Sequence, residues 1–524
     1  MKLHLNTDLF LYDITSLLRA FYPGEQLVIQ REDEKQQIEN GSVHHELSLS
    51  VELTDTIKVV LQVEEKPVYE ETRSFIGKEK PYWNPLRDGV TELHKSSLRN
   101  EERREYKNLM KRMIFEALQQ YTGKCPSWGT LTGVRPTKLA MEGFIAGENK
   151  EAIERLFLED YLCSAKKAKL AAEIAETEYQ LLKKIHWQEG YSLYIGIPFC
   201  PTTCHYCSFA SYSLEKFADR VPEYLTALYC EIDAMAEFMK GQRLSCVYFG
   251  GGTPTSLNAK QLDELLGHVR EVFPMEHVEE FTVEAGRPDT ITREKLEIMK
   301  KHRVSRISIN PQTMKQETLD RIGRNHSVED IREIFKMARE LGFDNINMDL
   351  IVGLPGESVK DVKDTLEEIK KLQPDSLTVH SMVLKRAARL NQEMTAKDGC
   401  NSEDIDLMVD LGLQYAADMG MKPYYMYRQK NAQGSLNESR DNIGYSLPGK
   451  EGLYNIIIME EVQTIIACGA GSSTKRVWTT PNPDGTHRIE RCENVKDLTS
   501  FTGRIDEMIE RKRKLFEVEL EAAE

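Results

Sequence analysis

The stretch Tyr194-Ile-Gly-Ile-Pro-Phe-Cys200-Pro-Thr-Thr-Cys204-His-Tyr-Cys207 sets three cysteines within eight residues, directly after an apolar, strand-like run. Thiolates are soft ligands, and cysteines crowded at this spacing suit an iron–sulfur cluster or zinc. A closed structural site takes four protein ligands, whereas a reactive site leaves one position open. On a four-iron cluster, three cysteines leave one iron free to meet a small molecule. A zinc module would need His205 beside them, and adjacent Cys204 and His205 make poor tetrahedral geometry.

The fold must therefore carry an open metal site at the end of a strand, and the pattern from residue 191 onward provides one. Strand-like segments are expected at 191–198, 245–249, 280–285, 306–310, 345–352 and 376–383. Amphipathic helices are expected between them at 221–240, 260–273, 293–301, 328–341 and 359–372. Alternation of this kind means an α/β fold with a parallel sheet, either a partial barrel or an open doubly wound sheet. Both place their chemistry at the C-terminal strand ends. The polar residues of note fall there: Gly250-Gly251-Gly252-Thr253 after the second strand, and Glu284, Gln312 and Asp349 at the ends of the next three. The glycine run reads either as a tight turn or as backbone opened to a ligand. A carboxylate, an amide and a second carboxylate at successive strand ends suit the hydroxyls and amino group of a nucleoside-like molecule.

Before residue 186 the chain has a different rhythm. A helix is expected over 9–21, a β-hairpin from the alternating apolar residues of 47–53 and 57–63, a loop over 64–90, and helices over 99–122 and 164–185. Trp128-Gly-Thr-Leu-Thr-Gly-Val-Arg135-Pro-Thr-Lys138 reads as an interdomain turn or as a site where two cations face an anion. After the sixth strand come a helix at 403–419, a tyrosine-rich strand at 422–429, two strands at 453–459 and 463–467, a turn at 469–473 and a charged helix at 505–521. The expected regions are 1–95 (N-terminal α+β), 96–185 (helical connector), 186–400 (barrel core) and 401–524 (a C-terminal part covering the barrel).

At 524 residues with 40% hydrophobic content the chain can bury several cores, and a formal charge of -15 argues against nucleic acid as the main partner. The start lacks an unbroken apolar h-region, and no run approaches the ~18 apolar residues of a membrane span. Cys125, Cys163, Cys230, Cys246, Cys400, Cys468 and Cys492 read as isolated buried thiols, which suits a reducing, cytoplasmic setting.

The C-x3-C-x2-C spacing followed by Gly-Gly-Gly-Thr-Pro resembles radical S-adenosylmethionine (SAM) enzymes. The fuller pattern is similar to the oxygen-independent coproporphyrinogen III oxidase (coproporphyrinogen dehydrogenase) family. It comprises Tyr194-x-x-Ile-Pro-Phe-Cys200, Glu284, Arg306-x-Ser-x-Asn-Pro-Gln312, Arg324-Asn-His326 and Asn347-x-Asp349-Leu-Ile-x-Gly-Leu-Pro355. Length and the turn at 131–138 resemble its longer HemZ-type branch. The resemblance is specific over about 190–385 and implies a partial (β/α)6 barrel flanked by the two extensions above. It implies that Cys200, Cys204 and Cys207 ligate a [4Fe-4S] cluster whose open iron takes SAM, with Gly251, Gly252 and Thr253 at the methionine end. Tyr194 and Glu284 would also touch this SAM, while Tyr206, Gln312, Arg324 and Asp349 would line a second SAM or substrate site. Residues 469–473 would approach the adenosyl group. The implied reaction takes hydrogen from the β-carbon of a coproporphyrinogen III propionate; loss of CO2 and one electron leaves a vinyl group, giving protoporphyrinogen IX. The implied partners are a tetrapyrrole and an electron donor and acceptor that the residues do not name, around a monomeric protein.

The chain departs from this pattern at Phe209, where the best-studied members carry a further cysteine. Phenylalanine there is common in a related haem-chaperone branch, which moves haem and decarboxylates nothing. Against that alternative stand the greater length, Gly196 in place of a common histidine, and Asp441-Asn-Ile-Gly-Tyr445-Ser446, which lacks a tryptophan often found after the tyrosine. Lys385, Arg386, Arg389 and Arg428 are candidates for binding propionates, or else solvated basic residues.

Overall fold

The computed structural model describes residues 1–22, 25–31, 47–75, 97–209, 211–382, 402–429, 441–481 and 487–517. Its centre is a run of six parallel strands, Gly190–Ile197, Arg243–Gly251, Glu280–Gly286, Arg306–Ile309, Ile346–Val352 and Ser376–Ser381, each hydrogen-bonded to the next in sequence order. In the first of them every residue except Gly190 and Tyr194 is buried. Strands covered on both faces need such continuous apolar runs, so hydrophobicity here does not alternate. Helices Val221–Phe238, Ala259–Val272, Arg293–Lys301, Val328–Glu340 and Val359–Leu372 return the chain between strands. Three of them begin in reciprocal capping boxes, Asn258 with Gln261, Ser327 with Asp330 and Ser358 with Asp361. Such caps satisfy the first free amides and fix where each helix leaves its loop.

The C-terminal region extends this sheet on both edges. Thr464–Cys468 pairs in parallel with the first strand, and the antiparallel strands Ser473–Pro481 and His487–Glu493 continue outward. On the other edge Asp441–Ser446 lies antiparallel to the sixth strand, with Lys422–Arg428 beyond it. Among the described residues the sheet thus counts eleven strands. The strands at 441–446, 473–481 and 487–493 carry too mixed a pattern to be read from sequence.

Two expectations are corrected. The segment expected as a strand at 453–459 is the helix Leu453–Glu460. Its apolar run suits either structure, and the helix prevails because its first amides, those of Leu453 and Tyr454, donate to the buried carboxylate of Glu280 on the third strand. Within the segment expected as loop, Lys66–Ser74 is an edge strand on Thr56–Val63. None of its residues is fully buried, so it lacks an apolar signal, and a register shift accommodates Pro67.

The N-terminal region is a five-stranded sheet in the order Val28–Arg31, Lys2–Leu5, Leu47–Leu53, Thr56–Val63, Lys66–Ser74. Helix Leu11–Phe21 packs on it with Ser97–Thr122, so the start of the expected connector belongs to this core, which runs from Met1 to Leu118. A separate, larger core holds the barrel and its helices. The turn expected at 128–138 joins the two. The Trp128 indole nitrogen donates to Asp441 at 3.1 Å, Lys167 pairs with Asp441 at 2.6 Å, and Arg135 pairs with Glu461 at 2.6 Å. Cys163, Cys246, Cys468 and Cys492 are buried as expected, but Cys125 and Cys230 are exposed; Cys400 lies outside the described residues. No helix among the described residues is long and apolar enough to cross a membrane.

Candidate active site at the barrel mouth

The end of the second strand pins the cysteine loop. The Gly252 amide donates to the Ile197 carbonyl and the Thr253 amide to the Phe199 carbonyl, each at 2.8 Å. A Cβ on Gly252 would stand 2.7 Å from the Phe199 carbonyl oxygen and 3.0 Å from Cys200 Sγ, so only glycine admits this approach. Gly251 adopts φ +108°, open to glycine and strained for other residues. The glycine run is therefore both a tight turn and a cradle.

Cys204 is buried, and Cys200 and Cys207 are half-buried. Cys200 Sγ lies 3.5 Å from the Thr253 hydroxyl, and Cys204 Sγ accepts from Arg287 Nη1 at 3.5 Å. Burial pushes the Cys200 thiol up to about 11, against the opposing hydrogen bond from Thr253, so a metal must displace its proton. His205 turns away: its Nδ1 bonds the Arg321 carbonyl at 3.1 Å. Among the described residues no three histidine, cysteine or acidic side chains converge as ligands of one metal ion. A single zinc demands such convergence, whereas an iron–sulfur cluster binds each thiolate to a different iron.

A cavity of about 270 Å³ opens at the strand ends. Cys200, Cys204, Cys207, Tyr206, Gly251, Gly252 and Thr253 line one side. Glu284, Gln312, Arg324 and Asp349, contributed by the strands and the loop after the fourth strand, are also in its lining. Tyr194 is not part of this lining; its ring stacks 6.2 Å from those of both Tyr248 and Tyr454, which are themselves 4.4 Å apart. Of the cluster and cofactor residues expected from the family pattern, all but Tyr194 and the turn at 469–473 thus face one space. Ile322, Ile351, Leu354 and Met382 form a small apolar cluster against which Tyr206 packs.

The wall is polar and partly unsatisfied. Tyr248 donates its hydroxyl to Glu284. Burial, with the Asp349 charge adding to it, pushes the Glu284 carboxyl up to about 7 against the opposing bonds from Tyr248 and the Gly251 amide. Asp349 accepts from Asn347 at 2.7 Å and stands 3.9 Å from the His380 ring. Gln312 is held at φ +67° by backbone bonds to Asp349 and Ile351, a strain of the sort that clusters at ligand sites. Among the described residues, Gln312 Oε1 and Arg324 Nε are buried with no partner. Burying such groups unpaired is costly, so a polar ligand is the natural complement. Glycine cradle, open thiols and orphaned polar atoms together fit a cluster with a nucleoside-sized molecule beside it.

Several lining residues went unread in the sequence: Arg287, Asn310, His380, Tyr427 and Gln429. The strand-end rule flags His380 once the sixth strand is fixed, and Arg287 lies three residues past Glu284. Other expected sites fall elsewhere. Arg428 is buried against the N-terminal turn, donating to the Leu131 carbonyl at 2.9 Å and standing 3.6 Å from Asp441, so it is an interdomain strut and meets no propionate. Arg135 is spent on Glu461, and Lys138 neighbours the buried Glu460. The turn after 468 packs on the first strand: a Cβ on Gly469 would stand 2.5 Å from the Gly196 carbonyl oxygen. Lys385, Arg386 and Arg389 lie outside the described residues.

Comparison with known proteins agrees with this geometry. Residues 194–369 match the Radical SAM superfamily, whose members use a [4Fe-4S] cluster and SAM. The chain is 41% identical over 418 residues to the oxygen-independent coproporphyrinogen-III oxidase-like protein HemZ of Bacillus subtilis, covering 79% of this chain and 82% of that protein. It is 40% identical over 197 residues to the heme chaperone HemW of the same organism, covering 37% of this chain and 51% of HemW. The solved coproporphyrinogen III oxidase HemN of Escherichia coli shares the fold with a TM-score of 0.50 at 21% identity, over 63% of this chain and 72% of that one. With the cysteine loop, the glycine cradle and the strand-end residues in one barrel mouth, the chain belongs to the radical SAM family, in its HemZ-type, oxygen-independent coproporphyrinogen-III oxidase-like branch.

Proposed function

We propose that this chain oxidatively decarboxylates the propionates of coproporphyrinogen III to vinyl groups, giving protoporphyrinogen IX in anaerobic haem biosynthesis. The observation that carries this reading is a single cavity joining the three thiols to Asp349, His380 and Tyr427 at the far strand ends. One ligand can meet the cluster while a second is held within reach of it. Cys200, Cys204 and Cys207 hold the cluster. The backbone of Gly251, Gly252 and Thr253 receives the methionine end of SAM. Glu284, Gln312 and Asp349 supply acceptors for its amino and hydroxyl groups, and Glu284, poised near neutrality, can hold or release a proton there. The Tyr427 hydroxyl, 3.4 Å from His380 Nδ1, and the His380 ring offer donors to a substrate carboxylate. When bound, cluster and SAM supply the one-electron chemistry that opens an unactivated C–H bond.

A second reading, haem binding and transfer, is favoured by Phe209, which is 73% exposed at the cavity rim, and by the likeness to HemW. Anaerobic reconstitution with iron, sulfide, SAM, a reductant and coproporphyrinogen III separates the two. Protoporphyrinogen formation with release of methionine is the expected result. Stoichiometric haem binding without turnover would replace the first reading by the second.

A further inference from the structure

We propose that Arg287, to which no role attaches so far, positions the cysteine loop and raises the reduction potential of the cluster held on it by directing a buried guanidinium at the Cys204 sulfur. This rests on the reading that the cluster sits on Cys200, Cys204 and Cys207. The third strand ends at Gly286 with φ +62°, and the Arg287 amide then folds back onto the Ala285 carbonyl at 2.7 Å. That turn sends the side chain across the mouth to the cysteine loop, where the residue is 3% exposed. Nη1 donates to the Thr202 carbonyl and hydroxyl, each at 3.0 Å, and to Cys204 Sγ at 3.5 Å. Nε and Nη2 grip both oxygens of Asp289 at 3.0 and 2.7 Å.

The fork explains the choice of residue. Two parallel bonds to one carboxylate fix the plane of the guanidinium, which a lysine ammonium cannot reproduce. Anchored on one side by Asp289, the group presents its remaining N–H bonds to the loop on the other. Burial of this charge is offset by the Asp289 pair, so the guanidinium stays cationic at the sulfur. Reduction adds negative charge to a cluster and its thiolates. A hydrogen bond and a positive charge at one sulfur favour that state, and hydrogen bonds to the sulfurs are among the terms that set such potentials. Arg324 also bonds the Cys204 thiol, so removal of Arg287 weakens the effect without abolishing it.

The test uses the full chain, reconstituted anaerobically with iron and sulfide, as wild type, R287K and R287Q. Iron and sulfide per chain are measured, and the midpoint potential is read by redox titration followed by electron paramagnetic resonance, with no substrate present. The expected order of midpoints is wild type highest, R287K lower and R287Q lowest. If R287Q assembles no cluster, R287K decides: a midpoint below wild type sustains the proposal. A wild-type midpoint in R287K, or in a fully loaded R287Q, overturns it. Wild-type protein that takes up neither iron nor sulfide overturns the cluster reading itself, so the two failures are told apart.

Discussion

Replacing Gly252 with alanine tests the cradle most directly. The added methyl would stand 2.7 Å from the Phe199 carbonyl oxygen, 3.0 Å from Cys200 Sγ and 3.1 Å from the Ile197 carbonyl oxygen. Two of these three atoms are backbone, and the amides of Gly252 and Thr253 already bind those same carbonyls at 2.8 Å. Relief therefore means breaking one of the two bonds or displacing the cysteine it would press on. Overpacking of this kind costs about 1–3 kcal/mol. If that cost falls on the loaded site, SAM affinity drops roughly 5- to 150-fold. The assay is anaerobic measurement of the SAM dissociation constant together with iron and sulfide content. Gly133→Ala serves as the control, since a Cβ there meets nothing within 4 Å. A G252A protein with wild-type cluster content and unchanged SAM affinity would refute the reasoning.

Glu178 and Glu460, both buried and facing each other, make stability depend on pH. Burial pushes the Glu460 carboxyl up from 4.5 to about 7, so between these values the fold keeps a proton that the unfolded chain has shed. Stability then falls as pH rises across that window, and the raised Glu178 carboxyl adds to the fall; thermal midpoints of the E178Q/E460Q double variant should lose most of this slope, and a slope equal to wild type would dismiss the pair as its source. Lys512, buried on the last helix, pairs with the buried Glu231 and donates to the Ala467 carbonyl. K512M strands that carboxylate at a cost of about 3–5 kcal/mol, visible as a lowered midpoint of urea unfolding. R428A should leave tetrapyrrole binding intact and cost about 1.5–3 kcal/mol of docking between the N-terminal turn and the barrel, read as faster proteolysis of residues 97–145; weakened tetrapyrrole binding with unchanged proteolysis would reverse the assignment.

Much of the site is legible in the sequence because its parts are local. Cys200, Cys204 and Cys207 fall in one loop, the glycines follow one strand, and Glu284 and Asp349 lie within strands of recognisable apolar run with Gln312 just past another. Once strands are parallel and in sequence order, their C-terminal ends must converge, so residues far apart in the chain meet without further information. Arg287 escaped notice because its partners, Thr202 and Cys204, lie 85 and 83 residues away, and nothing in its neighbourhood announces them. Arg428 misled for the same reason. It reads as a cation beside tyrosines, and only the docking of a turn 297 residues earlier turns it into a strut.

What the sequence alone determined is the chemistry: soft ligands at a fixed spacing, a glycine cradle and a ring of polar strand ends, each set by short-range pattern. Tertiary structure decided what surrounds it. The run at 453–459 became a helix because Glu280, 173 residues earlier, waits to receive its amides. The C-terminal strands were drawn to both sheet edges because an open parallel sheet leaves backbone groups unpaired there. The Tyr194 ring stacks on Tyr248 and Tyr454, 54 and 260 residues away, neighbours that no local pattern announces.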